Sequence, residues 1–150
     1  MPENILLTPA SLPALWWITP ISGVIALIAA YAFYRSVLRF DEGLPRMREI
    51  AQAVREGAMA YLRRQYRLVA IVFAILFVIF GVLALLDLVS PITPFAFVLG
   101  GVFSAATGYI GMRAATNASA RTANAARKSL NDALRVAFRG GAVMGLSVVG

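Results

Sequence analysis

The residues able to do chemistry are few and unevenly placed. Seven carboxylates occur, Glu3, Asp41, Glu42, Glu49, Glu56, Asp87 and Asp132, with no histidine and no cysteine. Thiol nucleophiles, disulfides, zinc sites and histidine acid–base catalysis are thereby excluded from this sequence. A metal-assisted reaction on a phosphate needs several carboxylates converging on one pocket to hold Mg²⁺. Glu49 and Glu56 fall among arginines, where ion pairing or solvation is the ordinary fate of a carboxylate. The second half of the chain offers only Asp87 and Asp132. The basic residues are better organised. Arg113, Asn117, Arg121, Asn124 and Lys128 recur at steps of four, four, three and four, one stripe of a helix with alanines on its other side. Arginine suits phosphate, so the stripe could hold an anionic substrate. The reading we favour is that it sets membrane orientation and touches lipid headgroups. No phosphate-binding glycine loop occurs, and no catalytic, cofactor-binding or metal-binding residue is assigned.

The elements that carry these residues are long apolar blocks. The chain is 60% hydrophobic with a mean hydropathy of +0.77, far above the apolar share of a soluble domain. Residues Asn4 to Tyr34, Leu68 to Leu86 and Leu88 to Met112 contain no Lys, Arg, Asp or Glu apart from the intervening Asp87, and each is long enough to span a bilayer. A fourth block runs from Gly140 to Gly150, 11 residues. At a rise of about 1.5 Å per residue it reaches roughly half of a ~30 Å hydrocarbon core. It is expected to be the start of a span cut short, the alternative being a re-entrant piece. The fold class is therefore all-α integral membrane: a multi-pass transmembrane helix bundle with three full spans, the start of a fourth, and long cytoplasmic helix extensions. Expected spans are about 12–34, 68–86, 92–112 and 140–150, with connections 35–67 and 113–139.

Charge orients these spans. All fourteen Lys and Arg lie in the connections 35–67 and 113–139, whereas the tail before the first span has only Glu3 and the connection after the second only Asp87. By the positive-inside rule the N-terminus is outside, both arginine-rich connections are cytoplasmic, and Asp87 to Pro94 is outside. The net charge of +7 thus reports orientation in a cell membrane, and no nucleic-acid motif accompanies it. The first block has an acidic tail, a long apolar run and no small-residue cleavage site, so it reads as a retained helix, with Trp16, Trp17, Tyr31 and Tyr34 in the interfacial belts.

Three local patterns add detail. Gly43 and Pro45 mark a helix start, and no proline follows until Pro91, so one helix from about Pro45 to Leu86 is expected, standing upright rather than lying on the headgroups. Met47, Ile50, Val54, Ala58, Tyr61 and Leu68 form its apolar side, with Arg48, Gln52, Arg55, Arg63 and Arg67 opposite. Gly100, Ser104, Gly108 and then Gly111, with a parallel row of Gly101 and Ala105, form a small face where another helix approaches closely, and Gly141 and Gly145 repeat the spacing. Ser129 and Asp132 have capping-box spacing for a following helix. Asp87 is the one carboxylate beside an expected span. Intramembrane acids mark ion paths, but at a helix's outer end, shortly before Pro91, Asp87 reads as interfacial. The triplet at Asn117 matches a glycosylation acceptor, and its expected cytoplasmic helix dismisses it.

The segment MREIAQAVREGAMAYLRRQY resembles the first cytoplasmic helix of membrane-bound, ion-translocating pyrophosphatases. GYIGMRAATNASARTANAARKSLNDALRVAFRGGAVMGL resembles that family's next cytoplasmic connection, and the likeness covers about Arg35 to Gly150 in order. The resemblance implies a bundle of well over a dozen transmembrane helices, a homodimer, and hydrolysis of magnesium pyrophosphate coupled to export of Na⁺ or H⁺. The family's hydrolytic centre surrounds an acidic run like D-V-G-A-D-L-V-G-K on later helices. That run is absent here, so the resemblance makes this an N-terminal part, expected inactive alone, with Mg²⁺ and K⁺ bound outside it. The wording TNASARTANAARKSLN followed by GGAVMGL is closer to the K⁺-stimulated sodium-pumping branch than to the proton pumps. Its implied partners are the lipid bilayer, the pump's remaining helices and pyrophosphate. A rival reading is a small membrane scaffold complete at residue 150, and another is a different multi-pass transporter; downstream coding sequence with or without the acidic run separates them.

Overall fold

A computed structural model describes residues 14–150. A turn of 3-10 helix, Ala14–Trp17, leads into α1, Ile18–Leu38. The first two residues of the expected first span, 12 and 13, lie outside the described residues. α2 spans Pro45–Leu85, α3 Thr93–Ala126 and α4 Leu130–Val149. Among the described residues α1, α2 and α3 are long and apolar enough to cross a membrane. The chain is an all-α membrane helix bundle.

α2 is one unbroken helix of 41 residues, joining its charged and apolar halves without a turn, as expected. At about 1.5 Å per residue it is about 61 Å long, twice a ~30 Å hydrocarbon core. Leu44 is extended and Pro45 opens the first turn, where a missing N–H costs nothing. At the other end Asp87 has φ +57°, its N–H bonds the Ala84 carbonyl at 3.2 Å, and the Leu88 N–H bonds the Leu83 carbonyl at 3.0 Å. That pair is a Schellman motif, with an aspartate in the left-handed position that glycine usually holds. Asp87 is exposed and ends a helix.

The four helices do not stand in chain order. α4 packs against both α1 and α3, α2 packs against α3, and α1 touches α3 lightly. The row is therefore α1, α4, α3, α2, and the helices joined by the shortest loop among the first three stand at its opposite ends. The buried cluster is Val37, Ala118, Ala125, Ala133 and Val136, with Phe40 against it. It lies where charged residues have begun to appear, so water exclusion can drive its packing. The apolar half of α2 contributes no buried residue to its most hydrophobic window, leaving that surface for lipid or further protein.

Three packing expectations are corrected. On α2 the buried residues are Ala51 and Leu62, whereas Ile50, Val54, Tyr61 and Leu68 are exposed. The contact face is rotated because small Ala51 admits α3 closely while Arg55, expected on the solvent side, is drawn inward by a carboxylate. On α3 the working row is Gly101, Ala105 and Gly108: a Cβ at Gly101 would collide with the Phe73 ring, and one at Gly108 would lie 2.9 Å from the Tyr66 hydroxyl. Tyr66 donates to the Ala105 carbonyl at 2.5 Å, and Phe73 stacks on Phe97 at 4.6 Å. Gly100 and Ser104 are exposed and meet no partner among the described residues, whereas at Gly111, the inner end of the expected row, a Cβ would lie 2.8 Å from Met144. On α4, Gly141 and Gly145 face open space, and Gly140 makes the close approach instead, 2.7 Å from the Ala118 methyl for an added Cβ. Finally, Ser129 has the extended backbone of an N-cap but makes no side-chain capping bond.

Candidate functional site

The densest polar constellation forms where the connection 39–44 crosses the bundle. Because α1 and α2 stand at opposite ends of the row, this connection must pass over the polar end of α3. The α3 stripe receives it. Arg121 donates from Nε to the Phe40 carbonyl at 3.0 Å and from Nη1 to the Asn117 carbonyl at 2.7 Å. Asn124 donates to the Asp41 carbonyl at 3.2 Å. Buried backbone carbonyls need partners, and here residues some eighty positions away provide them.

Glu42 joins three elements. Arg55 of α2 donates to its Oε1 at 2.7 Å and to its Oε2 at 3.4 Å, and Arg121 pairs with Oε1 at 3.0 Å. Arg55 also reaches Asn117 Oδ1 at 3.4 Å. The Glu42 side chain is 18% exposed and that of Arg121 10%, so bulk water screens this triad little. The Arg55 hydrogen bond holds the Glu42 carboxyl below its ordinary 4.5; burial opposes this, and the Arg121 charge adds to it. Beside it, the Gly43 N–H and then the Arg48 guanidinium lower Asp41, which Arg48 bonds at 3.0 Å in an exposed pair. Gly43 itself has φ +93°, and a Cβ there would lie 2.8 Å from Asn124 and from Met47 Sδ. Only glycine fits both the left-handed backbone and the close approach.

The stripe thus divides. Arg121 and Asn124 are committed to the connection and Asn117 to Arg55 of α2, while Arg113 and Lys128 are exposed. An anionic substrate lying along the whole stripe would have to displace Glu42, so the centre works as a clamp. Sequence reasoning missed Glu42 and the inward turn of Arg55; the signal was the pair Asp41–Glu42 ahead of Gly43 in an otherwise basic window. The other acids are ordinary. Glu49 pairs with Arg46 at 2.7 Å with both exposed, and Glu56 accepts from Gln52 at 2.9 Å. Among the described residues no three carboxylates gather to hold a metal ion, so these residues do not fit a magnesium pyrophosphate centre.

Comparison with known proteins agrees with this architecture. The family described as Inorganic H+ pyrophosphatase matches residues 24–150. A Bacteroides thetaiotaomicron protein provisionally named a K(+)-stimulated pyrophosphate-energized sodium pump is 52% identical over 91% of this chain and 19% of its own length. A Moorella thermoacetica K(+)-insensitive pyrophosphate-energized proton pump is 50% identical over 87% of this chain and 19% of its own. A Thermotoga maritima K(+)-stimulated pyrophosphate-energized sodium pump is 43% identical over 91% and 18%. The chain spans about a fifth of the length of these curated relatives. With most of its length matched and its long helices set as membrane spans, the chain belongs to the inorganic H+ pyrophosphatase family.

Proposed function

We propose that this chain is the N-terminal part of a membrane pump that couples hydrolysis of magnesium pyrophosphate to export of Na⁺, with K⁺ stimulation. The observation that carries the reading is the family match over residues 24–150 in a chain that covers about a fifth of its relatives. The sodium choice leans on the 52%-identical relative and on the Thermotoga pump. A proton pump is the second reading, favoured by the relative at 50% identity and by a Methanosarcina mazei proton pump at 47%.

In this reading the segment contributes scaffold rather than chemistry. Mg²⁺, K⁺ and pyrophosphate bind on later helices, the pump is a homodimer in the cell membrane, and the N-terminus is outside with both arginine-rich connections in the cytoplasm. The same reading takes 12–34, 68–86, 92–112 and 140–150 as spans and 35–67 and 113–139 as connections.

Inverted vesicles carrying the full-length protein test the reading. Mg²⁺-dependent pyrophosphate hydrolysis with K⁺-stimulated ²²Na⁺ uptake is expected. Hydrolysis with acidification and no sodium uptake would move the protein to the proton branch. No hydrolysis by a folded, membrane-inserted full-length protein would remove the pump reading itself.

A further inference from the structure

We propose that a cleft between α1, α3 and α4 binds one anionic phospholipid from the leaflet at the arginine-rich ends of these helices. The inference goes beyond the pump reading and does not depend on hydrolysis. The cleft has a volume of about 280 Å³. Small-molecule sites usually run to roughly 300–1,000 Å³, so this one suits part of an acyl chain better than a bulky metabolite. Leu27 and Ser147 line its deep end, Tyr34 and Arg113 its mouth, and Tyr31 and Tyr109 lie between. The floor is α4, where Val143 and Ser147 are buried.

Polarity changes along this cleft in the order of a phospholipid. The deep end suits an acyl chain, because Leu27 is apolar and the Ser147 hydroxyl is turned onto the Val143 carbonyl at 2.7 Å. Three tyrosine hydroxyls follow at interfacial depth, where amphipathic rings are favoured. At the mouth stands the Arg113 guanidinium, with Arg35 and Arg139 on the neighbouring turns of α1 and α4. Among the described residues the four ion pairs use Arg46, Arg48, Arg55 and Arg121, and none uses Arg35, Arg113 or Arg139. Arg113 has only a long 3.5 Å contact to the Tyr109 hydroxyl. Arg35 follows Tyr34 and lines an adjoining hollow with Tyr31. Arg139, one turn before Val143, donates to the Ser36 hydroxyl. An apolar helix would fill the bed and leave these cations without an anion. A phosphate diester on an acyl chain satisfies both, through charge-assisted hydrogen bonds at the mouth and burial below.

The test uses the full-length protein in mild detergent, incubated with equal amounts of phosphatidylglycerol and phosphatidylcholine and read by native mass spectrometry. One phosphatidylglycerol per chain should be retained in preference to phosphatidylcholine. Arg113→Gln should weaken that retention about fivefold, the factor expected for one arginine at an anionic surface, and Arg113→Lys should restore most of it. Ile110→Trp should fill the cleft and abolish retention, whereas Arg63→Gln, exposed on α2 away from the cleft, should leave it unchanged. Equal retention of both lipids, or an equal loss in Arg63→Gln and Arg113→Gln, would overturn the site in favour of a diffuse basic belt. A photo-crosslinking residue at position 110 separates the remaining occupant. Adducts of lipid mass support the proposal, and cross-links to protein segments alone would overturn it.

Discussion

Glu42 is the one side chain of the connection 39–44 that faces two guanidiniums from different helices, Arg55 of α2 and Arg121 of α3. Replacing it by glutamine keeps the shape and strands both cations. Removing one partner of a screened-off charged hydrogen bond costs about 2–3 kcal/mol, so Glu42→Gln should lower the melting temperature of the full-length protein by several degrees at pH 7. The pH dependence has a definite sign. Its carboxyl is held below the ordinary 4.5, so the stabilisation is full above that value and is lost as pH falls through the lower folded value. Melting curves of wild type and Glu42→Gln should therefore stay apart from pH 8 down to about 5 and converge below about 4.5; a constant gap would show that charge is not what Glu42 supplies. Asp87 gives a second residue-scale test. A left-handed backbone disfavours β-branched residues by about 1–2 kcal/mol, so Asp87→Val should destabilise the protein while Asp87→Asn leaves stability and transport unchanged. Loss of transport in a stable Asp87→Asn protein would return this carboxylate to the ion path.

Packing between elements is decided by which glycine faces a partner. Gly101→Leu drives a side chain into the Phe73 ring and Gly108→Leu into the Tyr66 hydroxyl, so both should reduce the yield of monodisperse protein in detergent. Gly100→Leu, with open space around it, and Phe103→Leu, at an exposed position, should not. Loss from all four alike would mean that α3 is constrained by something other than α2. This contrast also marks how far the sequence could be read. The existence, length and continuity of α2 and α3 were legible, because long uncharged blocks and the absence of proline report on one element at a time. The choice between the Gly100 and Gly101 rows was not, since both have small-residue spacing and only the position of Phe73 separates them. The clamp was illegible for a related reason. Glu42, Arg55 and Arg121 meet only because α1 and α2 occupy opposite ends of the row, and helix order across a bundle leaves no periodic trace in any one segment.

Orientation belongs to the whole molecule. In a background free of other reactive cysteines, Lys128→Cys should be labelled by an impermeant maleimide only after the membrane is opened, and Ile92→Cys should be labelled in intact cells. Labelling of position 128 from outside would invert the topology. Residues 1–150 expressed alone should insert in a membrane and hydrolyse no pyrophosphate, since their acids are engaged or scattered; hydrolysis above a mock preparation would relocate the active centre into this segment.

The unbroken α2 also has a mechanical meaning. Arg55 sits ten residues into the helix, about 15 Å from its Pro45 end and about 45 Å from Leu85 at 1.5 Å per residue. If the Glu42 pair is the fulcrum, the rod is a lever with arms in a ratio of about one to three. A sideways push of about 1 Å at the polar tip then swings the far end by about 3 Å without bending a backbone hydrogen bond, provided that Tyr66 and Phe73 slide along α3.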